Sequence, residues 1–141
     1  YFNIFGPRQD PASPYSGVIS IFARAMIDGR TPTIHGDGEQ SRDFTFVDNV
    51  VAANMLACAM PSTAGEIYNI GCARAITVNE LVAALNACLG SELKPDHIES
   101  RAGDVRVSLA DISAASQQLG YEPTTAFEEG LRQTVDWMRA S

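Results

Sequence analysis

Arg8, Arg42, Arg101 and Arg106 all stand in polar, turn-like surroundings. A guanidinium grips a phosphate through paired N–H donors, a geometry that lysine does not offer. Arg42 and Arg101 have the more defined settings. Arg42 lies in Gly36-Asp37-Gly38-Glu39-Gln40-Ser41-Arg42-Asp43-Phe44, which reads as a tight turn delivering an arginine to an apolar run. Arg101 lies in Arg101-Ala102-Gly103-Asp104. Two converging guanidiniums suit a diphosphate, and a structural salt-bridge role stands beside that reading as an equal alternative. For Arg8 and Arg106 a solvated surface role is favoured. Asn3 could donate to a phosphate oxygen or cap the turn that follows it. Asp104 could accept from sugar hydroxyls, or hold Arg101 or Arg106. Tyr15, Phe22 and Ile34 could wall a base pocket, with ordinary core the better reading of Phe22 and Ile34.

A reaction centre is harder to find. Lys94 is the only lysine, and no tyrosine precedes it by four residues. His35 and His97 lack a metal-like setting, and there is no Gly-x-Ser-x-Gly nucleophile elbow. A dinucleotide site needs a glycine-rich turn between strand and helix, whereas Gly36-Asp37-Gly38 leads into a strand pattern. The chain reads as a binding half.

Its 141 residues suffice for one domain with a core. A net charge of -7 and the lack of a basic run argue against a nucleic-acid partner. No apolar run approaches the roughly 20 residues of a membrane helix, so no membrane partner is expected. Cys58, Cys72 and Cys88 are odd in number and lack metal spacing, which fits reduced thiols in the cytoplasm. Cys58 and Cys88 fall in helical patterns and are expected to be buried. The chain begins without methionine, inside a strand pattern and with no leader peptide, so it is expected to be a piece of a longer protein.

The elements alternate strand and helix, an α/β pattern. Strands are expected over residues 1–5, 32–35, 44–47 and 66–70. Ser13-Pro14 predicts a helix start, with Val18, Ile21, Phe22, Ala25 and Met26 at helical spacing and Asp28-Gly29 as its stop. Asp48 reads as the N-cap of a second helix with Val51, Met55 and Ala59 on one face, ending before Pro61. Thr77 and Glu80 make a capping box for a third helix, with Val78, Leu81, Val82, Leu85 and Leu89 as its stripe and Gly90 as its stop. A polar, partly extended stretch follows. Asp111 opens a short helix that ends at Gly120. Thr125 and Glu128 read as a second capping box, with Phe127, Leu131, Val135 and Met138 inward.

Taken together, several motifs resemble a family. The run Tyr1-Phe2-Asn3-Ile4-Phe5-Gly6-Pro7-Arg8-Gln9-Asp10-Pro11, then Ser13-Pro14-Tyr15-Ser16-Gly17-Val18-Ile19, then residues 36–44, are similar to the C-terminal half of extended short-chain dehydrogenase/reductase nucleotide-sugar epimerases. Tyr68-Asn69-Ile70-Gly71, Arg101-Ala102-Gly103-Asp104-Val105-Arg106 and Leu119-Gly120-Tyr121-Glu122-Pro123 continue the likeness in order. Gln9-Asp10-Pro11 and Ser41-Arg42-Asp43-Phe44 resemble most the branch that epimerises UDP-glucose or UDP-N-acetylglucosamine at C4.

The resemblance implies a substrate-binding domain whose outer strands normally complete a Rossmann sheet. It implies that NAD and a Ser/Thr, Tyr-x-x-x-Lys catalytic set lie in an N-terminal domain before Tyr1, and that this segment alone is inactive. Asn3 and Arg42 would contact the diphosphate of a UDP-sugar, with Arg101 opposite them. Asp104 would hold the ribose. Gly17, Val18, Phe22, Thr33 and His35 would line the uridine pocket, mostly through backbone and packing. Ser108 would lie beside the sugar, and Tyr1 and Phe2 would border the nicotinamide. A homodimer is implied for the full-length enzyme, and self-association through unpaired strand edges for this chain. Two rival readings remain, an autonomous nucleotide-sugar-binding module and an interaction domain with a decayed site.

Overall fold

Glycine-rich turns, short strands and five helices divide the chain in the computed structural model, which describes residues 1–10, 12–13, 17–60 and 65–141. The strands are β1 (Ile4–Phe5), β2 (Thr33–His35), β3 (Ser41–Asp43), β4 (Thr45–Phe46), β5 (Ala75–Thr77), β6 (Asp96–Ile98) and β7 (Val107–Ser108). The helices are α1 (Val18–Ile27), α2 (Val47–Ala59), α3 (Val78–Leu89), α4 (Ser113–Leu119) and α5 (Phe127–Ala140). The strands form small sheets. β1 pairs with β4 and β2 with β6, both in parallel, while β3 lies between antiparallel β5 and parallel β7.

The main core gathers the inner faces of α1, α3 and α5 over Phe5, Ile34, Phe46 and Ile76 from the strands and Phe44 between β3 and β4. Phe5 meets Phe46 and Phe127 edge-on, and Phe44 stacks on Phe127. A smaller cluster of Ala53, Ile70, Ala115, Leu119 and Tyr121 joins α2 to α4. Thr77 and Glu80 form the expected capping box, and Gly90 ends α3 in the left-handed region, at φ 64°.

Two buried polar side chains tie the loops to this frame. Asp43, fully buried, accepts backbone N–H bonds from Cys72, Ala73 and Ala110 at 2.8, 2.9 and 3.2 Å. Asn49 accepts from the Thr124 and Thr125 N–H groups and donates to the Thr125 carbonyl. Tyr121 is also fully buried, and its hydroxyl donates to the Gly71 carbonyl at 2.9 Å. Burial drives the Tyr121 phenol up to about 12. A raised phenol stabilises the fold fully below its ordinary value near 10, and that contribution is lost as pH climbs through 12. Tyr121→Phe is therefore expected to lower stability by about 1–2 kcal/mol at pH 7, and in urea titrations the variant should lose less stability than the parent between those pH values.

Several sequence expectations need correction. The strand over residues 1–5 shrinks to β1, because Asn3 sits at φ 35° and turns the chain. Residues 66–70 form no strand; their link to the first segment is a single bond from Phe2 N to the Ile70 carbonyl. α1 starts at Val18 with Gly17 as its N-cap, while Pro14, Tyr15 and Ser16 lie outside the described residues, as does Pro61. α2 begins at Val47, so Asp48 sits in its first turn and does not cap it. Its buried residues are Asn49, Val50 and Ala53, whereas Val51, Met55, Cys58 and Ala59 are exposed. Apolar residues surround this helix, so periodicity could not choose its inner face. α4 begins at Ser113, after Asp111. α5 is capped at Ala126 with no side-chain bond, because Glu128 reaches across to Arg74 in a bidentate pair.

Candidate functional site

Arg42 does not stand in a turn. Gly36 and Gly38, at φ 81° and 79°, complete the turn early, and the chain is already extended at Ser41. A Cβ at Gly38 would also collide with the Asn79 carboxamide. Arg42 thus lies at the centre of the three-stranded sheet, flanked by Ile76 of β5 and Ser108 of β7. Its guanidinium donates to the Ser41 and Val105 carbonyls and to Asp104 Oδ1, the last two at 2.5 Å. Arg42 is the buckle that fastens the loop of residues 101–106.

A second fastening lies nearby. Arg106 donates to Asp37 at 2.7 Å, and that hydrogen bond, aided by the Glu39 N–H, holds the Asp37 carboxyl down at about 2. Ser41 N donates to the Arg106 carbonyl. His97 Nδ1 lies 2.8 Å from the Gly36 carbonyl and His35 Nδ1 3.3 Å from the Glu99 carbonyl, so both nitrogens carry their proton. The loop is pinned at each end, while Arg101 is exposed on it with its guanidinium free of ion pairs among the described residues.

Beneath this loop lies a cavity of about 660 Å³. Val18, Ile21, Phe22 and Ala25 of α1 form its apolar wall. The stripe read from the sequence therefore divides: Phe22 and Met26 enter the core, beside Ile19 and Ala23 that the spacing did not include, while Val18, Ile21 and Ala25 face the cavity. β2 forms the opposite side with Thr33, Ile34 and His35, and Gln40, Arg42, Arg101 and Asp104 close the polar end. A smaller cavity of about 200 Å³ shares Val18 and Arg42 with it and adds Asn3, Gln9 and Gly17. Asn3 Nδ2 donates to the Asp43 carbonyl at the end of β3 and not to the turn that follows it, and Gln9 Oε1 is buried without a partner among the described residues.

Of the residues singled out from the sequence, Val18, Phe22, Thr33, His35, Arg42, Arg101 and Asp104 line the larger cavity. Asn3 and Gly17 line the smaller, and Ser108 faces Arg42 across the β3–β7 ladder. Tyr1 and Phe2 line neither cavity; the Tyr1 hydroxyl donates to Asn54 of α2 at 2.6 Å. Phe22 and Ile34 are core residues as well as cavity walls. Asp37 and Arg106 went unnoticed as a pair in the sequence, since the β3–β7 pairing brings them together from 69 positions apart, and Gln40 went unnoticed because its partner is the backbone carbonyl of His35.

The edge of β2 facing away from β6 borders the same space. The Pro32 carbonyl and Gly36 N–H bond to β6. Because a trans peptide points its N–H and C=O in opposite directions, the Thr33 N–H, the Thr33 carbonyl, the His35 N–H and the His35 carbonyl point the other way. Among the described residues no strand pairs with that edge.

Comparisons with known proteins place this arrangement. Residues 1–71 match the NAD dependent epimerase/dehydratase family. The chain belongs to that family. Among its relatives, a UDP-glucose 4-epimerase of Mycolicibacterium smegmatis is 39% identical over 97% of this chain and 43% of its own length. A Thermotoga maritima UDP-glucose 4-epimerase solved with UDP-glucose superposes with a TM-score of 0.92 at 44% identity, over 99% of this chain and 44% of that one. A UDP-N-acetylglucosamine 4-epimerase of Methanobrevibacter ruminantium, in complex with UDP-N-acetylmuramic acid, gives 0.91 at 40% identity over the same shares. The chain thus spans less than half the length of these relatives.

In this epimerase-family chain Gly36 and Gly38 lead into β3 and not into a helix, and the α3 N-terminus beside that turn gives its Val78 and Asn79 N–H groups to the Gln40 and Gly38 carbonyls. Nor do the described residues contain a metal-binding group of three or more His, Cys, Asp or Glu side chains, or a helix long and apolar enough to cross a membrane.

Proposed function

We propose that the chain is the UDP-sugar-binding half of an NAD-dependent UDP-hexose 4-epimerase, with the catalytic residues and the NAD site carried outside these 141 residues. One observation carries this reading: an apolar wall, an unpaired strand edge and two arginines converge on one cavity of about 660 Å³, a size that suits a nucleotide. Uracil slides between α1 and β2, and its imide edge meets the Thr33 N–H and carbonyl. The diphosphate lies at the end held by Arg42 and Arg101, with Asp104 on the ribose hydroxyls. A ligand there exchanges with the Arg42–Asp104 ion pair. The family chemistry is a reversible oxidation at sugar C4, for which NAD supplies the hydride acceptor. This chain's residues hold the UDP anchor still while the 4-keto sugar turns over, so their binding energy serves the turnover step.

Ser108, opposite Arg42, sets the room left for the sugar. Serine admits a 2-acetamido group that an aromatic side chain would exclude. In an assembled enzyme, Ser108→Tyr is expected to suppress turnover of UDP-N-acetylglucosamine while sparing UDP-glucose, as read by chromatography of the products. Equal loss on both sugars would contradict this.

Val51 and Met55 are exposed one turn apart on α2, and exposed Tyr1 is tied to Asn54 of the same helix, a face we read as the seat of the nucleotide-binding half. Alone, the chain is expected to self-associate through this face and the β1 edge. Light scattering should show a mass above 15.1 kDa, and a monodisperse monomer would count against it. Its free cysteines fit a reducing cytoplasm.

The test of function is complementation. The chain alone should leave UDP-glucose unchanged, and adding the nucleotide-binding half of a relative together with NAD should produce UDP-galactose. Turnover by the chain alone would contradict the reading. UDP binding without complementation would favour an autonomous nucleotide-sugar-binding module, which the self-contained cavity also supports.

A further inference from the structure

Among the described residues, Gln40 is the one cavity residue whose side chain bonds to the open edge of β2. Its Nε2 donates to the His35 carbonyl at 2.8 Å. That carbonyl is turned from β6, since the Gly36 N–H across the same peptide bonds to Ile98. A carbonyl only accepts, so the amide nitrogen of Gln40 must face it, and the orientation of the carboxamide is settled. The main chain of Gln40 is equally fixed: its carbonyl accepts from Val78 N, and the next residue enters β3.

This contact changes what the edge offers to a base. The Thr33 N–H, the Thr33 carbonyl and the His35 N–H remain open, and the His35 carbonyl is taken. An amino group arriving there would find an N–H donor in place of an acceptor. A keto oxygen would find a partner, because the Gln40 amide carries a second N–H.

We propose that Gln40 selects a keto pyrimidine over an amino pyrimidine in this cavity, by occupying the His35 carbonyl and presenting a donor in its place. The proposal rests on the UDP reading above and adds to it the residue that enforces the choice of base. The pyrimidines differ in the groups that matter here. Uracil presents a 4-keto acceptor beside an N3–H donor, whereas cytosine presents a 4-amino donor beside a bare N3. Thr33 already favours uracil through its carbonyl, so loss of Gln40 narrows the selection without abolishing it.

The test is calorimetric titration of this chain with UDP and CDP, for the parent and for Gln40→Met and Gln40→Glu. Both variants keep the length of the side chain and lose its donor. The parent should prefer UDP by at least about tenfold, and the variants should narrow that ratio by about fivefold or more, with thermal melting showing them folded. An unchanged ratio in a folded variant overturns the proposal. So does equal loss of both nucleotides, or loss of folding in both variants, since either marks Gln40 as framework. If the parent itself fails to bind UDP, the functional reading falls and this one with it.

Discussion

Asp43→Ala should be the most damaging single substitution in the frame, lowering the unfolding free energy by about 3–5 kcal/mol. Three backbone N–H groups end on this one buried carboxylate. They come from the turn at Cys72 and Ala73 and from Ala110, which follows β7. Alanine leaves them unpaired and opens a polar void. Asn is no remedy, because its NH2 would confront the N–H groups that one carboxylate oxygen now accepts. The loss is a large part of the 5–15 kcal/mol typical of a domain, and urea unfolding would read it as a lower midpoint with an unchanged slope. Since Asp43 follows Arg42 on β3, the same change should loosen the site. A loss under about 1 kcal/mol would show that water replaces the carboxylate, and that these loops are held by other means.

The largest expected effect on binding belongs to Arg42. Arg42→Met should weaken UDP binding by about 30- to 300-fold, the worth of one or two charge-assisted hydrogen bonds. It removes a guanidinium from the diphosphate and unfastens the loop that carries Arg101 and Asp104. Arg42→Lys should still cost at least about tenfold, because a point charge cannot hold the Val105 carbonyl, Asp104 and a phosphate together. Uridine, lacking the diphosphate, should lose only about threefold by the same calorimetry. Equal losses for uridine and UDP would make Arg42 purely a frame for the pocket.

Where sequence and structure agree, the cause is local. The Thr77–Glu80 box and Gly90 act within a turn of their own helix, so α3 was legible from end to end. Where they part, a distant residue decided. Thr125 and Glu128 have the spacing of a capping box, yet Arg74 holds Glu128 from 54 positions away. The α1 stripe was correct as a pattern and divided in use, because β2 stands off from part of it and leaves the cavity between them. Arg42 was legible as an anion-binding candidate, whereas its bond to Asp104 depends on β3–β7 pairing across 62 positions. Gln40 had no signal of its own, since its partner is a backbone carbonyl exposed only by the way β2 pairs. The family resemblance named seven of the cavity's lining residues before any geometry was known, and they come from α1, β2, β3 and the loop after β6, which only the fold brings together.

The central claim is that a UDP site is built from this chain's own residues. Titrating UDP into the folded 141-residue chain tests it most directly. The account predicts one saturable site per chain with micromolar affinity, weakened by Arg42→Met far more for UDP than for uridine. A folded chain that takes up no UDP at about 1 mM, above the range of weak nucleotide sites, would contradict it.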